Sequence, residues 1–355
     1  NILNSLGQKV LQTIKTDPKN KSIIQTEDPY GRVVQEDLIG SNGELITSQS
    51  MAYDPNGNLV QQKNQIFQKG VYQRTLETQL SYTPTNQVKS RVRAANTPES
   101  RTTRYSYSPT GKLSTKTNPD GSLISYTYDP LGYIKSINSK DDQLKLSYTH
   151  NKVGDLIYAI DEKTNLSIQR NVDSHGNITY EKLSTGLTLE KSYDAFDRPL
   201  AIKLPDQGEI LYSYDPLFLR SVSRNSQTGN VLYQHQYIDY DLSGYLQKEQ
   251  LIGNLGTIDH AVDGKGRKKS IVSSYFQENY IYDEVDNVTN IITNQIDSHK
   301  SYDELDQLST ENSDAYVYDT NLNRIEENGT SWASNQLDEL VSTGEIQCAY
   351  DLNGN

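Results

Sequence analysis

A single cysteine, Cys348, occurs in 355 residues, so no internal disulfide can form, and oxidising and reducing compartments both stay open. Methionine also occurs once, at Met51, and the first residue is Asn1, so the chain is expected to be a piece of something longer. Phenylalanine is scarce (Phe67, Phe196, Phe218, Phe276) and Trp332 is the one tryptophan. Hydrophobic residues reach 34%, and even with 22 glycines added they stay below the ~45–50% usual for globular domains. A thick, dry core is not expected. No apolar run approaches the ~18 residues of a membrane-spanning helix, and no signal-peptide core is visible. Positive charge is short as well: 34 Lys and Arg against 46 Asp and Glu give −12. That balance argues against nucleic acid or an anionic membrane as a general partner.

What the chain does have is tyrosine, 26 in all. Tyrosine suits a surface with one end buried and one end wet, as in a thin sheet. The tyrosines recur in a frame that starts at 27, 53, 82, 107, 128, 148, 172, 193, 214, 240, 262, 282, 302, 318, 334 and 350. Clear copies are Tyr53-Asp54-Pro55-Asn56-Gly57-Asn58-Leu59, Tyr128-Asp129-Pro130-Leu131-Gly132-Tyr133-Ile134 and Tyr240-Asp241-Leu242-Ser243-Gly244-Tyr245-Leu246. Tyr193-Asp194, Tyr282-Asp283, Tyr302-Asp303, Tyr318-Asp319 and Tyr350-Asp351 open others, while Asp173 and Gly176 mark a copy that begins with Val172.

The second position is Asp in 12 of 16 copies and Thr, Ser or Asn in the rest, all able to accept a backbone N–H two residues on. The fifth is Gly in eight and Asn or Asp in five, the residues that tolerate a left-handed backbone. Lys152, Phe218 and Leu322 break that rule, so their turns are expected to differ. Together the positions predict a type I turn closed by a left-handed bulge, between two strands. A second turn signal lies between frames, as at Asn118-Pro119-Asp120-Gly121, Pro205-Asp206-Gln207-Gly208, Ser226-Gln227-Thr228-Gly229 and Asp17-Pro18-Lys19-Asn20. The prediction is an all-β chain: one antiparallel meander of roughly 30 strands with no helix and no linker. Leu3, Leu6, Val10 and Ile14 have helical spacing, but Gly7 and the Asp17-Pro18 turn favour strands there.

Tyr-Asp-x-x-Gly-x-Leu, recurring along nearly the whole chain, resembles the YD repeat of the rearrangement-hot-spot (RHS) proteins, shared with Tc-toxin C components and the teneurins. The resemblance implies a hairpin sheet coiled into a curved, cocoon-like shell, open or partial here, and a single array over 1–355. The copies over 302–355 are similar to the shortened repeats that close such arrays. In bacterial relatives an RHS-associated core and a C-terminal toxin follow; neither lies within these residues, and no catalytic residue is carried over. Tiling 355 sheet residues at ~16 Å2 each gives at most ~5,700 Å2, so an arc or open-ended tube needing other segments to seal it is expected.

The chemistry-bearing residues read as structural. His150, His175, His235, His260 and His299 are 24 or more residues apart and read as surface or turn histidines. Asp283-Glu284-Val285-Asp286 and Asp303-Glu304-Leu305-Asp306 put three carboxylates in one turn without the spacing of a calcium loop. Gly264-Lys265-Gly266-Arg267-Lys268-Lys269 reads as a hairpin tip rather than a phosphate cradle, because no helix follows. Sequons at Asn20, Asn165, Asn177, Asn287 and Asn328 matter only in a eukaryotic product. The expectation is a non-enzymatic shell segment, without cofactor or metal, of a larger exported protein, secreted or at the cell surface. Its partner would be a polypeptide cargo or flanking segments of the parent. The alternative is a teneurin-like surface module that meets a glycan or a protein.

Overall fold

The computed structural model describes residues 2–3, 9–253 and 255–355. Among them are 33 strands and no helix, and wherever pairing is described it is antiparallel and between strands consecutive in sequence. Val10 and Ile14 lie in the strand Lys9–Thr16; Leu6 and Gly7 fall outside the described residues. The chain divides into two compact units. One comprises Asn1–Ser122, Ile281–Ile291 and Asp297–Asn355, the other Leu123–Tyr280 and Ile292–Ile296.

The repeat turn is visible atom by atom at Asp54. Its backbone N–H donates to Asn58 O at 2.9 Å, and Gly57 N–H donates back to Asp54 O at 3.0 Å. The Asp54 carboxylate accepts the N–H groups of Asn56 and Asn58, both at 2.9 Å. The register slips by one residue between Ala52 and Tyr53, which is the bulge that a left-handed Gly57 (φ 89°) creates. Signature positions elsewhere adopt the same geometry, including Gly132, Gly176, Gly244 and Gly354 with positive φ.

The structure also explains why the first position is tyrosine rather than phenylalanine. Its hydroxyl donates to the backbone carbonyl at the start of the strand after the previous turn. Tyr53 reaches Val33 O at 2.9 Å, Tyr82 Leu59 O at 2.8 Å, Tyr107 Val88 O at 2.8 Å, and Tyr193 Ile178 O at 2.9 Å. Tyr240, Tyr302 and Tyr350 do the same to Leu219, Val288 and Leu340. These seven repeats are thus tied to their predecessors by a bond a phenylalanine cannot make. Tyr193→Phe should cost about 1 kcal/mol and speed amide exchange in 178–193 while leaving distant hairpins alone.

The three exceptional turns resolve in three ways. The frame placed at 148 is displaced by two residues: Asn151 is the turn acceptor, Gly154 (φ 104°) takes the left-handed position, and Lys152 lies mid-turn. Tyr148 belongs to the preceding strand, and a tyrosine before a polar residue misled the register. At Asp215 the turn is one residue tighter, closing on Phe218, whose ring stacks on Tyr240 at 4.4 Å. Leu322 takes φ 69° in spite of its branched side chain.

Candidate functional site

Every buried hydrophobic residue among those described lies in the first unit: Val10, Ile46, Ile66, Phe67, Ala94, Ala95 and Leu337. Five of the seven, Ile46, Ile66, Phe67, Ala94 and Leu337, stand along a seam where the C-terminal repeats dock on strands from the first hundred residues. Leu337, at the tip of the 335–339 turn, is only 4% exposed. Around it Arg74 donates to the carbonyls of Ser334 (3.1 Å) and Asn335 (2.6 Å), and Arg93 to that of Leu337 at 3.0 Å. Arg101 forks onto Glu339 through both terminal nitrogens, a paired geometry that only arginine offers. Further along, Phe67 N–H donates to Thr320 Oγ1 at 2.8 Å, and the hydroxyl of Ser41 to Glu304 at 2.8 Å.

The docked turns supply no cation of their own and draw theirs from the early strands. In three turns the residue four past the turn Asp supplies its own cation, Arg32 to Asp28, Arg198 to Asp194 and Arg267 to Asp263, while at Asp54, Asp129, Asp173 and Asp241 it is Asn58, Tyr133, Asn177 and Tyr245. In the turns at Asp283, Asp303, Asp319 and Asn335 that residue is Asn287, Gln307, Asn323 and Glu339. Two of those acidic residues then take a cation from far away in sequence, Asp283 from Lys19 at 2.8 Å and Asp319 from Arg74 at 3.4 Å. The left-handed position contributes too. It is Asp306 and Asp338 here, and they accept Lys21 at 2.7 Å and Arg74 at 2.9 Å. Neighbouring turns are stitched together by Asn287 donating to Asp306 and Asn323 to Asp338. The cation these carboxylates hold is therefore lysine or arginine.

Burial pushes the Asp283 carboxyl up, but hydrogen bonds from Lys19, Asn287 and Val285 outweigh it and hold the group at about 2. Asp306 is also lowered: burial opposes, and Lys21, Asn287 and Lys19 prevail. Asp338 goes the other way, because its burial exceeds the pull of Asn323 and Arg74. A depressed carboxylate stabilises the fold above its unfolded value near 3.9 and loses that contribution as pH falls through its folded value. The Asp283–Lys19 link should therefore hold at pH 5 and be lost near pH 2. With Lys19 30% and Asp283 20% exposed, solvent screening limits the loss to about 1–2 kcal/mol. Amide exchange of 281–291 at the two pH values, in the native chain and in Lys19→Ala, checks it: the variant should show a smaller acid step, since Asn287 and Val285 still hold the carboxylate.

The second unit has a different surface. Its register sorts side chains onto two faces, since successive residues of a strand point oppositely. On one face Ile137 stands across from Leu146, Tyr148 across from Ala159, and Ile168 between Ala159 and Leu183. The same face carries Ile202, Ile210, Tyr212, Val222 and Ile258. The other presents Ser136, Ser147, Ser167, Gln169 and Lys182, then Ser213, Ser221, Gln236, Gln250 and Thr257, with Tyr158, Ile160, Tyr180 and Leu211 among them, while Asp161, Glu181 and Arg224 interrupt the first face. None of the second unit's described apolar residues is fully buried.

Sequence distance hid one cluster on the apolar face. His235 and His260 each direct Nε2 at the Glu249 carboxylate, at 2.7 and 2.9 Å, from the strands on either side of it. Burial raises Glu249, but the hydrogen bonds from the two histidines outweigh it and keep the carboxyl below its ordinary value. Cross-strand register, invisible in residue spacing, brings the three together. Of the other histidines, His175 reaches Asp197 at 2.8 Å.

Residues 107–142 match the family model described as RHS Repeat. Curated proteins yield no match. Among solved structures, the fold is similar to TcdB2–TccC3–Cdc42 (13% identity, TM-score 0.61), covering 96% of this chain and 24% of that one. It is likewise similar to TcdB2–TccC3 without the hypervariable C-terminal region (13%, TM-score 0.61; 92% and 23% covered). A Photorhabdus luminescens Tc holotoxin pore matches at 12% identity and TM-score 0.56, covering 94% of this chain and 22% of that chain. The chain spans about a quarter of the length of the structures it resembles. Its fold defines an all-β hairpin-repeat protein. Within that class, the RHS Repeat match over 107–142 and the Tyr-Asp frame support an RHS/YD-repeat family.

Proposed function

We propose that the chain is a non-enzymatic segment of a shell, part of a single YD array over 1–355, that keeps a polypeptide cargo of an exported parent protein away from water and proteases. The observation that carries this reading is the row of incompletely buried apolar residues along one face of the second unit. A sheet that lines one face with Ile137, Leu146, Ile168, Ile202, Ile210 and Val222, none of them fully buried, leaves apolar surface for another segment to cover. The signature residues from Tyr53, Asp54 and Gly57 to Tyr350 and Asp351 are structural in this reading: they turn and bind the ribbon and do no chemistry. In the intact parent, a segment following residue 355 should resist trypsin at doses that digest it when made alone. Equal digestion of the two would overturn the reading.

A second reading, a surface recognition module, draws on the turn tips. Tyr30, Leu131, Val153, Phe196 and Leu217 stand exposed at the fourth position of their turns, where Leu337 is buried. Binding of the chain to a glycan array or to cells, lost on replacing those tips by serine, would favour it over the shell.

A further inference from the structure

Within the first unit a cleft of about 280 Å3 opens between the early strands and the docked repeats. Its walls are apolar and aromatic: Ile46, Phe67, Leu305, Tyr316 and Tyr318. Two polar groups in it lack a protein partner, one of them buried. Gln307 Oε1 is buried with no hydrogen-bond partner, a cost that native structures accept only for a reason. Glu44 stands half-buried, and among the described residues its carboxylate meets neither a donor nor a cation.

The remaining charge at the rim is mostly negative. Asp303 and Glu304 line the cleft against a single Lys69, which points to a positively charged guest. The Asp303 carboxylate is engaged by the N–H groups of Leu305 and Gln307, and Glu304 by Ser41, so Glu44 is the acid left to pair with one. Aromatic walls suit the same guest, because a cation gains from ring faces and its alkyl stem from the aliphatic ones. Arg324 shows the preference in place, lying 4.4 Å from the Tyr316 ring centre.

The geometry points to a binding site for an arginine side chain on an extended polypeptide: stem along Ile46 and Phe67, guanidinium between Glu44 and Gln307 Oε1. This rests on the shell reading for its source of polypeptide, but the site itself is testable alone. N-acetyl-arginine methylamide titrated into the 355-residue chain, followed by amide chemical shifts, should bind at millimolar concentration. It should bind about tenfold more tightly than the neutral citrulline derivative. Glu44→Gln should weaken it by a similar factor and Gln307→Leu by about threefold, with amide exchange of the seam unchanged as the check on folding. No binding at tens of millimolar, indifference to Glu44→Gln, or equal binding of the citrulline and norleucine derivatives would overturn the site. Loss of arginine binding with a downstream segment still protected from trypsin would sink the cleft and leave the shell reading standing.

Discussion

Replacing Arg74 with alanine should release the 334–340 hairpin from the strand Val71–Tyr82, at a cost of about 3–5 kcal/mol. One guanidinium there serves two backbone carbonyls and two carboxylates, and it is largely buried while doing so. Removing it strands Asp319, itself buried, without its counter-ion. Fast amide exchange across 316–342, with 123–280 unaffected, is the expected result. Arg74→Lys should recover only part of the loss, because an ammonium keeps the charge but not the planar fork. The deficit should shrink as pH falls. Burial already raises Asp338, so the folded state holds that proton more tightly than the unfolded chain, and acid neutralises the orphaned charge. Unchanged exchange in 334–342 would mean that the apolar contacts of Leu337 alone hold the seam.

Gly154→Ala should cost about 2–3 kcal/mol in total. The position has φ +104°, where a Cβ costs about 1–2 kcal/mol by itself. A Cβ there would also lie 2.6 Å from the hydroxyl and ring of Tyr133. Tyr133 would have to swing away, losing its hydrogen bond to Val153 O (3.2 Å) and its contact with the His150 ring at 5.3 Å. Gly186→Ala separates the two causes. It shares the left-handed backbone (φ +89°) but has nothing within 4 Å, so only the backbone cost should appear. Equal destabilisation of both variants, in thermal unfolding and in exchange of 145–160 against 178–193, would show that Tyr133 yields freely.

The turns were legible because their chemistry is local. A carboxylate two residues before the N–H it accepts, and a residue that tolerates positive φ, are set by neighbours in sequence, so Asp54 and Gly57 announce their geometry without a partner. The misplacement at 148 shows the limit of that logic: Tyr148-Thr149 resembles a turn opening, yet the acceptor is Asn151. The tyrosine hydroxyl was half legible. Its abundance implied a polar end in use, but not that the end reaches the previous repeat.

The seam left a faint mark. Asp takes the left-handed position at 286, 306 and 338, and no arginine stands four past the turn acceptor over the same stretch. Both are readable in the sequence, yet they acquire meaning only beside Lys19, Lys21 and Arg74, which lie more than 240 residues earlier. The His235–Glu249–His260 cluster left no mark at all, since cross-strand register sets it and spacing does not.

By itself, then, the sequence determined the hairpin, its repetition and the all-β class, since hydrogen bonds within five to seven residues and the steric map of the backbone decide them. Tertiary structure alone decided which turns stay exposed and which dock, where the buried apolar residues gather, and which acids meet a cation. Those outcomes depend on bringing together segments hundreds of residues apart, and a distance along the chain carries no record of a distance in space.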